Sequence, residues 1–175
     1  MEETTEKPTV FNTGLRYGLY LSLASIALTL VIAVAGGNPL QSDFKSWNTW
    51  VNFAISIAII VMAHKYFKDN GDGFMSFGQG FGISFVAFMV SIVLGGVFTY
   101  VYANFIDTNM MEELWNKTAE QMEEQGQSEE AIEMALNMTK SFFWVFYVIG
   151  GAFGAAIMSL IVTLFTQKKN PDPIA

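Results

Sequence analysis

No cysteine occurs among the 175 residues, which excludes disulfides, thiolate metal sites and cysteine nucleophiles. Charge is also scarce: 14% of the residues carry one, against about 25% in an ordinary soluble domain. Lysine and arginine together number nine and are scattered, so the chain has no basic footprint for DNA or RNA. With one histidine in the chain, no nucleophile, base and orienting group can be assembled from sequence. The spans also lack the deep ionisable residues normal in an ion-coupled transporter. What is abundant is apolar: 52% of the residues are hydrophobic and the mean hydropathy is +0.37. Such a chain is a single membrane domain over 1–175.

The apolar residues fall into runs interrupted by charge. About 20 apolar residues cross the hydrocarbon core. The stretch from Tyr17 to Ser42 is free of charge and places a first span at about 14–35, after a polar tail through Thr13. Ala33-Val34-Ala35 has the form of a leader-peptidase site, but the run is longer than a leader's and its flank is not positive, which favours a retained span. Trp47 and Trp50 stand where an aromatic belt anchors the second span, about 47–65. The third run is charge-free from Gly73 to Ile106, with GFMSFGQGF expected to be interfacial or re-entrant before a helix at about 78–103. Ser141 to Gln167 supplies the fourth span, about 141–166.

Between the third and fourth spans, Asn104 to Lys140 carries nine acidic residues and two lysines, so the chain must leave the membrane there. Met111, Leu114, Trp115, Thr118 and Met122 share one helical face, and Ile132, Ala135, Leu136 and Thr139 share another. Gly126 separates them and Ser128 is the expected N-cap of the second arm, with Glu129 and Glu130 at the positive end of its dipole. The fold class expected is therefore an all-α, integral membrane four-helix bundle with an extramembrane acidic helical hairpin at about 104–140. An even number of spans puts both termini on one side. Lys7, Arg16, Lys65, Lys68, Lys168 and Lys169 fall on that side, against Lys45, Lys117 and Lys140 on the other, which makes the termini cytoplasmic.

The order of spans, the KYFKDNGDGFMSFGQGF turn, the NFID exit from the third span and the MEEQGQSEEAIEMALNMTK segment resemble the bacterial membrane family called domain of unknown function 4199 (DUF4199). That resemblance implies an uncharacterised inner-membrane protein with no activity, cofactor or functional residues to transfer. The resemblance implies an acidic residue at the place of Gln79, and this chain departs from it there.

Individual side chains give weak signals. Arg16, just inside the first span, is read as snorkelling to headgroups, and His64, beside Lys65 and Lys68, as an interfacial anchor in preference to a proton relay or metal ligand. The turn at Asp69 fails as a calcium loop because Gly80 stands at its twelfth position. Neighbouring carboxylates such as Glu123 and Glu124 point about 100° apart on a helix, so they read as a solvated face. Asn52, Gln79 and Asn104 read as capping or interhelical hydrogen-bond groups. No catalytic, cofactor-binding or metal residue is assigned. The expected partners are the lipid bilayer and, through 104–140, a second copy or another membrane protein. A structural or accessory role is favoured, with a small channel or transporter as the alternative.

Small residues supply the packing signal. Gly80, Ser84, Ala87, Ser91 and Gly95 of the third run keep within an arc of about 80°. Gly14, Gly18, Ser22, Ser25, Thr29 and Ala33 of the first run and Gly151, Ala155, Ser159 and Thr163 of the fourth repeat the pattern. Such seams let backbones approach closely, which drives helix association in lipid. The expectation is a closed bundle without a pore, disrupted by Ala87→Leu or Ser91→Leu, with Phe85, Phe88 and Ile92 toward lipid or a second protomer and Ile92→Leu nearly silent.

Overall fold

The computed structural model describes residues 7–41 and 47–170. The expectation for Lys45 and the first six residues of the expected polar tail lie outside these residues. Five α-helices are found among the described residues: α1 Val10–Val34, α2 Trp47–Asp69, α3 Phe77–Phe105, α4 Met110–Glu124 and α5 Glu129–Thr166. Helices α1, α2, α3 and α5 are long and apolar enough to cross a bilayer, so the protein is a multi-pass membrane protein.

The differences from the expected bounds lie at the caps. The polar tail was drawn through Thr13, but α1 starts at Val10 because the Thr9 hydroxyl accepts the Asn12 N–H at 3.1 Å, and Thr13 is buried. Of the stretch GFMSFGQGF, expected to be in part interfacial or re-entrant, the residues from Phe77 on belong to the continuous helix α3. Ser76 and Gln79 form a reciprocal capping box, with Gln79 N–H donating to the Ser76 hydroxyl at 3.3 Å and Ser76 N–H to the Gln79 side-chain oxygen at 2.8 Å, and the helix starts at Phe77. The loop before it turns at Gly73, whose φ is +78°.

Past α3 the chain runs through α4 to a turn at Gly126, φ +79°, and into α5. Ser128 caps α5 by accepting from Ala131 N–H at 3.3 Å. Helix α5 continues from the acidic segment into the apolar run with one interruption, Phe142 at φ −114° and ψ 15°, at the junction expected for the fourth span. The two expected apolar faces of this segment are half-buried, while Glu112, Glu113, Glu123, Glu124, Glu129 and Glu130 are exposed. Trp115 meets Phe143 edge-on with centroids 5.4 Å apart.

The small-residue seams do bring backbones together. A Cβ added at Gly18 would lie 2.9 Å from the Ala87 carbonyl oxygen and 3.0 Å from its Cα, and one at Gly14 would lie 2.9 Å from the Ile83 carbonyl. Two successive turns of α1 therefore ride directly on the α3 backbone. On the other side of α3, Thr163 of α5 packs into the space at Gly80, where an added Cβ would meet its Cγ2 at 2.7 Å. Gly14, Gly18, Ser22, Gly80, Ser84, Ala87, Ala155, Ser159 and Thr163 are all buried.

Two bulky residues depart from the expected outward position. Phe88 packs with Met158 against a core of Ile60, Ala87 and Val162, and Ile92 lies against Gly151, where an added Cβ would meet its Cδ1 at 3.1 Å. A glycine on α5 makes a notch, and the branched side chain opposite fills it, so a silent Ile92→Leu exchange no longer follows.

Candidate functional site

The bundle is built differently at its two ends. At the end holding the start of α1, the end of α2, the start of α3 and the end of α5, His64 is completely buried, where the sequence placed an interfacial anchor. Its Nδ1 lies 2.6 Å from the Thr166 hydroxyl of α5 and its Nε2 lies 2.9 Å from the Gly80 carbonyl and 2.8 Å from the Ser84 hydroxyl of α3. A carbonyl only accepts, so Nε2–H donates to Gly80. One imidazole thereby joins α2, α3 and α5. Lys68 reinforces the joint by donating to the Thr166 carbonyl at 2.8 Å, satisfying an open carbonyl at the negative end of α5. Met75 and Lys168 exchange both backbone hydrogen bonds, at 2.9 and 3.0 Å, tying the α2–α3 turn to the chain leaving α5.

Next to this polar joint lies an apolar layer of Ile60, Ala87 and Val162, flanked by Ile57, Phe88 and Met158. Beyond that layer the helices separate around a cavity of about 460 Å³ that reaches the α1–α2 loop at Pro39 and Leu40. Helix α2 contributes Asn48, Asn52 and Ser56, one per turn, while α1 adds Ser25 and Thr29 and α3 adds Ser91 and Gly95. The seam thus closes half of the bundle and opens in the other, which corrects the expectation of a closed bundle. Ser56 lies nine residues into α2, about 13 Å along the axis at 1.5 Å per residue, so the cavity reaches toward the middle of a bilayer about 30 Å thick.

The start of α4 is fastened to the cavity lip. Asn38 donates to the Met110 carbonyl at 2.7 Å and Lys117 donates to the Gln41 side-chain oxygen at 2.9 Å. Met110 is buried with Tyr102 and Ala103, and Ala33, Leu40, Phe98 and Met111 pack against them.

Of the residues singled out from sequence, Asn52 lines the cavity, while Gln79 caps α3 and Asn104 donates to the Tyr100 carbonyl of its own helix at 2.7 Å. Arg16 is exposed over the Tyr66 ring at 5.0 Å, with Nε donating to the Tyr20 hydroxyl at 3.2 Å, so the charge rests on an aromatic shelf at the sealed end. Among the described residues no three histidine, aspartate or glutamate side chains come together as a metal site. The sequence reading missed the burial of His64 and the polar face of α2. A signal for both was present: Asn48, Asn52, Ser56, Ile60 and His64 recur every four residues along α2, a period that keeps neighbours in one stripe.

Neither a curated protein nor a solved structure matches the chain. A family model described as "Protein of unknown function (DUF4199)" matches residues 16–168, most of the chain, and the protein therefore belongs to that family.

Proposed function

We propose that this protein is a small, non-enzymatic membrane transporter or channel that takes a solute into its bundle from one side. The observation that carries the reading is the asymmetry of the bundle: a cavity of about 460 Å³ at one end, an apolar layer beneath it and, closing the other end, the joint at His64 with the buried cluster of Tyr17, Ala63, Phe67, Met75 and Ile83. Passage requires that the apolar layer, the cluster of Tyr17, Ala63, Phe67, Met75 and Ile83 and the imidazole's bonds to Thr166, Gly80 and Ser84 give way, a change of helix packing and not a chemical step. The accessory role favoured by the sequence is supported by the acidic segment, whose glutamates are exposed to a basic partner.

Osmotic swelling of proteoliposomes separates the two. Light scattering in a series of small uncharged solutes should report entry above that of empty vesicles. No entry, with one partner copurifying stoichiometrically, would favour the accessory role.

The finer placement belongs to the same proposal. The sealed end gathers Lys65, Lys68 and Lys168 and is assigned to the cytoplasm of a bacterium, with both termini. The cavity and the α4–α5 hairpin then face outward from the inner membrane. Because the chain has no cysteine, Ser128→Cys and Asn170→Cys each create a single labelling position. A membrane-impermeant maleimide on cells with a permeabilised outer membrane should label the first and not the second. The reverse pattern would invert the orientation.

A further inference from the structure

We infer that the cavity selects an uncharged, ring-bearing solute that offers an amide or hydroxyl to Asn52, an inference that rests on the transport reading above. Three features of the site lead to it. The first is size, since about 460 Å³ lies within the 300 to 1,000 Å³ typical of small-molecule sites and exceeds what one or two waters need.

The second is charge. Among the described residues, those lining the cavity are all uncharged, and the lining reaches inward to Leu21, Ser56 and Met158, the last of which packs against the apolar layer. An ion carried there loses its hydration with no opposite charge to meet it, whereas a neutral amide or hydroxyl exchanges water for side-chain partners. The Asn52 side chain is exposed to this space and offers both a donor and an acceptor, and Ser56 on the next turn and Thr29 on α1 add hydroxyls.

The third is the aromatic wall. Phe88 and Phe98 of α3 and Tyr147 of α5 line the same cavity. Tyr147 packs against a break in the α3 side chains: a Cβ added at Gly96 would come 3.1 Å from its Cε1, and one at Gly95 would come 3.5 Å from its hydroxyl. Two consecutive glycines thus make room for this ring, which can stack on a planar solute while the amide of Asn52 fixes its polar end.

The test uses the full chain in nanodiscs and three probes that share one ring system and differ in charge: indole-3-acetamide, indole-3-acetate and tryptamine. Equilibrium dialysis against empty nanodiscs subtracts partition into lipid. Saturable binding of indole-3-acetamide is expected, with the anion and the cation at least about tenfold weaker, as for a site built around neutral hydrogen bonds. Asn52→Leu should weaken the amide at least about tenfold. Asn52→Asp, nearly isosteric, should exchange the preference for one toward tryptamine. Equal affinity for the charged probes, or no saturable binding of indole-3-acetamide, overturns the inference. If a charged probe binds the wild type and Asn52→Leu abolishes it, the cavity still binds solutes and only the uncharged class falls. If no probe binds, the swelling assay decides separately whether the transport reading survives.

Discussion

Leucine at Gly18 or at Ala87 is expected to abolish the folded bundle, while leucine at Ser91 leaves it intact. At Gly18 even a methyl group would lie 2.9 Å from a backbone oxygen of α3, and a helix backbone, unlike a flexible side-chain end, cannot yield without moving the whole helix. Ala87 sits on the other side of the same contact, completely buried. Overpacking of a core ordinarily costs about 1 to 3 kcal/mol. Separating α1 from α3 falls at or above the upper end, because every turn of the seam from Gly14 to Ser22 loses contact together. Ser91 differs from Ala87 by one helical turn but borders the cavity and is half-buried. A leucine there projects into open space. Thermal unfolding in detergent, followed by circular dichroism, should show Gly18→Leu and Ala87→Leu without a cooperative transition and Ser91→Leu near wild type. Three equal midpoints would show that α1 and α3 do not meet along this seam, and loss of Ser91→Leu alone would show that the cavity is closed.

Replacing His64 by leucine should both destabilise the bundle and unseal it. The volume is nearly kept, so the effect reports the lost bonds to Thr166, Gly80 and Ser84 and not a void. Interhelical hydrogen bonds within membranes average about 0.6 kcal/mol each, so the loss is expected near 2 kcal/mol. The more informative readout is leak. With the joint gone, the seal rests on apolar packing alone, the layer of Ile60, Ala87 and Val162 and the cluster of Tyr17, Ala63, Phe67, Met75 and Ile83, and proteoliposomes of His64→Leu should swell faster than wild type in the same solutes. An imidazole that merely anchored the helix at an interface would change neither quantity. Wild-type stability together with wild-type swelling would remove His64 from the seal.

The charge pattern by itself marked four apolar runs, and each lies in a helix long and apolar enough to cross a bilayer, because hydrocarbon excludes ionised side chains and demands that backbone bonds be satisfied within a helix. Local chemistry likewise determined the cap at Ser128 and the break at Gly126, since a hydroxyl three residues from an open N–H and a residue free to take positive φ act without help from the rest of the fold. Helical period also marked the inner faces of α1, α3 and α5, and Gly18, Gly80 and Thr163 lie on them as the spacing required. Period tells which residues share a face, but not what that face meets. Ile92 turned inward because Gly151 happens to arrive opposite it, and His64, although flanked by Lys65, was carried into the core by the rotation of α2 that seats Ile60 and Ala63. The cavity is the clearest case. The seams of α1 and α3 run unbroken past it, and only the axial offset and rotation of α2 and α5 put Asn52 and Tyr147 across from Ser25, Ser91 and Gly95 with space left between them. Those offsets are set by side chains from four helices fitting one another at once, a condition that no single stretch of the chain contains.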